Sequence, residues 1–177
     1  EVTSWATPIV VKHAGSPQLV VSGTERIRSY ELATGRVIWE CGGLSANIVC
    51  SPVAGHGMVF AGSSYEKQAM MAIALEGASG DITDSDKIRW STIRGTPYVP
   101  SSLLYKESIY FLRHYQGILT RIDAKSGEEK QGPFRLGGKP SSKAELPRSL
   151  PPVLVVLLDL PLSLESLGLG MPPACKG

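Results

Sequence analysis

The stretch Tyr30-Glu31-Leu32-Ala33-Thr34-Gly35-Arg36-Val37-Ile38-Trp39 decides how this chain folds. Two short apolar segments flank a Thr-Gly pair, and a tight hairpin connection needs a residue at positive φ, which Gly supplies without a Cβ clash. Trp39 lies four residues beyond Gly35. It is too large for an outer strand to bury alone, so it is expected to dock onto an adjacent sheet. Ala124-Lys125-Ser126-Gly127-Glu128 repeats the turn, and a middle copy reaches its own Trp90 after a longer loop.

Working outward, the segments before the turn recur in the same order. Thr7-Pro8-Ile9-Val10 answers to Ser51-Pro52-Val53-Ala54 and to Pro100-Ser101-Ser102-Leu103, with prolines 44 and 48 residues apart. An apolar strand follows as Gln18 to Gly23, Gly57 to Gly62 and Glu107 to Leu112. A third strand follows, in which Tyr30, Ile73 and Ile122 stand 43 and 49 apart. Short runs rich in Val, Ile, Tyr and Trp, bounded by Gly, Pro, Ser and Thr, predict strands at 6–12, 18–23, 26–31, 37–40, 48–54, 58–62, 69–75, 88–92, 99–105, 108–113 and 117–123. No sustained i, i+3, i+4, i+7 stripe predicts a helix. The expected class is all-β. A period in the forties with four strands per unit predicts propeller blades, because a four-stranded sheet has two faces to cover and a copy of itself covers one. Blades are expected at roughly 1–44, 45–94 and 95–138. Three cannot close a ring, so a partial ring is expected, with the remaining blades outside this chain.

Composition changes near Gly138. All 12 aromatic residues precede position 139, whereas 7 of the 13 prolines fall in the last 39 residues. Residues 139–177 are therefore expected to be an irregular or disordered Pro/Leu-rich tail, native or frame-disrupted, although Ser149-Leu150-Pro151-Pro152-Val153 imitates a blade start. Its apolar run Val153 to Leu160 is far shorter than the roughly 20 residues of a spanning helix, so no membrane span is expected. A net charge of +2 without clustered Lys and Arg argues against nucleic acid as a partner. Cys41, Cys50 and Cys175 form no CxxC pair, and no signal peptide is visible before Glu1.

The Tyr30 to Trp39 segment, and more faintly Ile122 to Glu128, resembles the AxDxxTGxxxW repeat of pyrroloquinoline-quinone (PQQ)-type β-propellers. Gln131 stands where the third unit would carry its Trp, and Glu76-Gly77 with a long insertion replaces Thr-Gly in the second. The resemblance implies two functions: a non-catalytic, BamB-like interaction scaffold, or a quinone- and calcium-dependent dehydrogenase; a sensor domain of a larger protein is a third reading. It also implies a periplasmic or extracellular location. The enzymes of that class use a vicinal Cys pair, Glu, Asn and Asp calcium ligands and an Asp base. None of these can be placed here, so no residue is assigned a catalytic, cofactor-binding or metal-binding role, and PQQ and calcium are expected only under the dehydrogenase reading.

Other candidates are weighed on chemistry alone. Asp81, Asp84 and Asp86 cluster in one loop, but without the Gly and Glu of a calcium loop they predict a solvated hairpin insertion. His13, His56 and His114 are isolated and predict exposed turn residues. Arg94-Gly95-Thr96-Pro97-Tyr98 and Arg113-His114-Tyr115-Gln116-Gly117 place Arg, Tyr and His beside Gly in blade loops, where a protein or peptide partner is expected to bind. Arg94 and Tyr115 are the residues whose substitution is expected to weaken it.

Overall fold

The computed structural model describes residues 4–113 and 117–136, all within one compact unit, Glu1–Lys139. The expectations for the 139–177 tail, Cys175, His114, Tyr115 and Gln116 lie outside the described residues.

The described residues are all-β, with thirteen strands and no helix. Blade 1 consists of β1 (Ile9–His13), β2 (Ser16–Gly23), β3 (Arg26–Glu31) and β4 (Val37–Gly42). Blade 2 consists of β5 (Val53–Gly55), β6 (Met58–Ser63), β7 (Ala69–Ala74) and, after the two-residue β8 (Gly80–Asp81), β9 (Ile88–Thr92). Blade 3 consists of β10 (Leu103–Tyr105), β11 (Ser108–Leu112), β12 (Ile118–Asp123) and β13 (Phe134–Arg135). Pairing runs within each copy in antiparallel order. One exception was not foreseen: β8, from the blade 2 insertion, adds a fifth, parallel strand to blade 1 by pairing Trp39 with Gly80 and Glu40 with Asp81. The sequence pattern also missed β13, which is only two residues long.

Burial shows how the copies cover each other. Every residue of β6 and β7 is buried, whereas β1 and β9 alternate between half-buried and exposed. Successive residues of a strand point to opposite faces. Val59, Ala61, Ala69, Met71 and Ile73 accordingly join a core with Val20, Ile27, Trp39 and Cys41 of blade 1. Met58, Phe60, Met70 and Ala72 join a second core with Ile109, Phe111, Ile122 and Ala124 of blade 3. The middle sheet is thus sandwiched between its neighbours.

Register corrects two of the expected alignments. Val20 stands opposite Ser29, Phe60 opposite Ala72, and Tyr110 opposite Arg121. Val20 is therefore the equivalent of Phe60, not of Val59, and a slip of one residue exchanges the two faces of a strand. Likewise Ile9, Val53 and Leu103 pair with those three residues, so Ser102, rather than Pro100, takes the place of Pro8 and Pro52. Backbone bonds agree: the Thr7 amide donates to Ser51 Oγ at 2.8 Å, and the Ser51 amide donates to Ser101 Oγ at 3.1 Å. Each blade start is stitched to the next by the same hydroxyl.

The acidic insertion is not simply solvated. Asp81 Oδ2 accepts from Arg26 Nη2 at 2.6 Å, its Oδ1 accepts from the Thr83 amide at 2.9 Å, and Thr83 Oγ1 accepts from the Gly42 amide at 2.9 Å. Arg26 Nε also lies 3.1 Å from Glu40 Oε2, an ionic contact whose geometry falls short of a hydrogen bond. The Thr83 hydroxyl and amide, then Arg26, hold the Asp81 carboxyl down to a pKa of about 2. Because that lies below the unfolded value of about 3.9, the stabilisation from this clasp is complete above about pH 4 and fades as pH falls through about 2. Asp81→Asn is expected to flatten the thermal midpoint across that window; an unchanged acid limb would show that Asp81 does not join blades 1 and 2.

Candidate functional site

Antiparallel connectivity sorts the loops onto two ends of each blade. The linkers entering each first strand and the loops between second and third strands share one end. Along that end, Trp5, Asn47, Val49, Tyr65 and Tyr98 line a groove of about 210 Å³, and Tyr98 also borders a second groove of about 210 Å³ with Val99, Pro100, Leu112, Arg113 and Gly117.

Backbone bonds position these side chains. The Trp5 amide donates to Ile48 O at 2.7 Å, which fixes the first linker against the second and leaves the indole 63% exposed. Ser64, at the end of β6, is a clamp: its Oγ lies 2.9 Å from Thr96 O, 2.6 Å from Thr96 Oγ1 and 2.8 Å from Pro97 O. Thr96 Oγ1 in turn donates to Ser63 O at 2.8 Å. Pro97 packs so closely on Gly62 that a Cβ there would overlap the pyrrolidine ring. This lock sets Tyr65 against Tyr98, with ring centroids 6.4 Å apart and planes 12° apart. Stacked, half-exposed rings held by buried hydroxyls need little reordering to bind, which is the preorganisation that recognition surfaces use.

The loop candidates divide. Tyr98 lies in the groove, Arg94 is exposed but lines neither groove, and Thr96 is a buried structural clamp. Arg113 is a strut inside blade 3, donating from Nε to Thr120 Oγ1 at 2.7 Å and pairing through Nη2 with Glu129 Oε2 at 2.6 Å. It is thereby engaged within blade 3 and at the same time borders the second groove. Trp5, Asn47, Val49 and Tyr65 are contributors that sequence motifs missed; an aromatic in each of two blade connections was the available signal. Of the two described histidines, His56 is the expected exposed turn residue, whereas His13 ends β1 half-buried. His13 Nε2 lies 3.3 Å from Glu76 Oε2, and His56 Nε2 lies 2.7 Å from Lys106 O, each reaching the next blade.

Among the described residues no group of three or more His, Cys, Asp or Glu side chains converges, and Asp81 is taken up by Arg26 and Thr83. Cys41 and Cys50 are buried free thiols. Desolvation pushes the Cys41 pKa up to about 11 and raises that of Cys50, so neither is a ready thiolate.

No family model and no curated protein matches the sequence. Solved structures do. A europium-containing methanol dehydrogenase superposes with a TM-score of 0.53 at 11% identity, over 72% of this chain and 24% of that one. BamB from Moraxella catarrhalis is similar at a TM-score of 0.49 and 17% identity, over 71% of this chain and 33% of that one. This chain therefore spans a quarter to a third of the length of the proteins it is similar to. Its fold is that of β-propeller blades, shared with the matched part of the methanol dehydrogenase.

Proposed function

We propose that this chain is a non-catalytic segment of a PQQ-like β-propeller that serves as an interaction scaffold, taking a protein or peptide partner along the linker end of its blades. The observation that carries this reading is the aromatic groove of Trp5, Tyr65 and Tyr98 around Asn47, built on connections and held by the Ser64–Thr96 lock. Binding hot spots concentrate in Trp and Tyr set in grooves, and loops on a rigid scaffold carry such sites. An exported location, implied by the repeat's resemblance, belongs to the same proposal.

The test is selection of a displayed random-peptide library on the intact chain. Enriched peptides are expected to lose affinity about 30-fold on Tyr98→Ala and on Trp5→Ala, as for residues worth about 2 kcal/mol in an interface. Peptides that bind both variants as well as the parent would remove the groove from the account. The second reading, a piece of a quinone- and calcium-dependent dehydrogenase, is favoured only by the fold shared with the methanol dehydrogenase. A thermal shift of the chain on adding the quinone with calcium would support it. The scaffold reading predicts no shift.

A further inference from the structure

None of the residues that line the aromatic groove, Trp5, Asn47, Val49, Tyr65 and Tyr98, carries a charge at neutral pH. A phosphorylated, acidic or basic ligand would bring its charge among the rings with nothing opposite to pair it, at a desolvation cost. A volume of about 210 Å³ also falls below the roughly 300–1,000 Å³ of a small-molecule pocket. Charge and shape together suit a neutral chain lying across the surface.

Backbone bonding narrows the occupant further. The lining residues sit on connections, before β1 and between β4 and β5, β6 and β7, and β9 and β10, so no described strand edge opens into the groove. Nearby amides are taken: Trp5 donates to Ile48 O at 2.7 Å, Lys67 to Tyr65 O at 2.6 Å, and Gly95 to Gln68 Oε1 at 2.9 Å. Ser64 Oγ occupies Thr96 O and Pro97 O. A peptide that adds a strand gains its affinity from a main-chain ladder, and this groove offers none. What it offers is side-chain donors, the Trp5 indole and the Asn47 carboxamide, neither engaged with another described residue. Proline has no N–H, and a polyproline II chain makes no internal hydrogen bonds, so its carbonyls stay available. Such a ligand brings acceptors to those donors and flat apolar rings to the aromatic ones, with little order left to lose.

Tyr98 supplies the spacing. It also borders the second groove, where Val99, Pro100 and Leu112 are apolar and the one charged lining residue, Arg113, is paired with Glu129 Oε2 at 2.6 Å. Two slots that share one aromatic wall match side chains on the same edge of a polyproline II helix, which recur every third residue, about 9 Å apart.

We propose that the paired grooves recognise a neutral proline-rich peptide in the polyproline II conformation, with two prolines three residues apart seated on either side of Tyr98. Trp5 and Asn47 donate to its carbonyls. This rests on the scaffold reading above and names the chemistry of the partner.

Fluorescence anisotropy of the intact chain with a fluorescein-labelled dodecapeptide of repeating Ala-Pro-Pro tests it. The comparison peptides are an unordered Ala-Ser-Ser repeat and a strand-forming Val-Thr repeat of the same length. The proline peptide is expected to bind at least about tenfold more tightly than either. Trp5→Ala and Tyr98→Ala are each expected to weaken it about 30-fold, and Asn47→Asp, which replaces a donor by a charged acceptor, about tenfold. Circular dichroism confirms that the variants retain the β-sheet of the parent. A proline peptide that binds no better than the Ala-Ser-Ser repeat, or equally well to parent and aromatic variants, would overturn the proposal. Library peptides that depend on Trp5 and Tyr98 but carry no proline would also overturn it, while leaving the scaffold reading intact. Library peptides indifferent to both substitutions would remove the two together.

Discussion

Trp39→Ala is expected to destabilise the chain by about 4 kcal/mol, the range for emptying a large aromatic site in a packed core. The indole is 0% exposed and sits among residues of both blades 1 and 2. Its Nε1 donates at 3.2 Å to Gln18 Oε1, which also accepts from Ser29 Oγ at 2.8 Å, so the buried amide keeps one partner when the ring is removed. Most of the cost is therefore cavity and lost burial. Urea unfolding measures it. The exposed Trp5→Ala is the control and is expected to stay within about 0.5 kcal/mol. Similar losses for both substitutions would mean that Trp39 does not join two sheets.

Gly127→Ala is expected to cost about 3 kcal/mol, and Gly35→Ala about 1 kcal/mol, although the two turns share their backbone geometry. The common part is the penalty for a Cβ at φ near +72°. The difference is the Trp90 ring, which Gly127 carries and Gly35 does not. Displacing the ring also strains the bond from its Nε1 to Ala124 O. Equal losses at the two glycines would show that the indole yields freely and does not cement blades 2 and 3.

These two residues also show what the sequence could reveal. Gly35 and Gly127 are legible because only a tight turn makes a Thr-Gly or Ser-Gly pair recur with the same flanking strands. Trp39 and Trp90 are legible as interblade side chains because a single edge cannot cover an indole. The face of β2 was not legible. Leu19, Val20 and Val21 are all apolar, so no alternation marks which of them points toward blade 2, and the visual alignment slipped by one residue. β8 escaped because its pairing is made by Gly80 and Asp81, residues without strand preference, held by Arg26 from another copy. At the candidate site, Tyr98 could be named because it lies beside Arg94 and Gly95. Tyr65 and Trp5 could not, because what brings them to Tyr98 and Asn47 is the stitching of separate connections by Ser64 and Ile48.

The account rests on the middle sheet burying opposite faces against two copies of itself, and methyl-resolved nuclear Overhauser spectra of the intact chain test that directly. Val59, Ala61 and Ile73 are expected to show cross-peaks to Val20 and Ile27. Met70 and Ala72 are expected to show them to Ile109 and Ile122, with no mixing between the two sets. Cross-peaks from one face of β6 and β7 to both neighbours, or none between the copies, would contradict it.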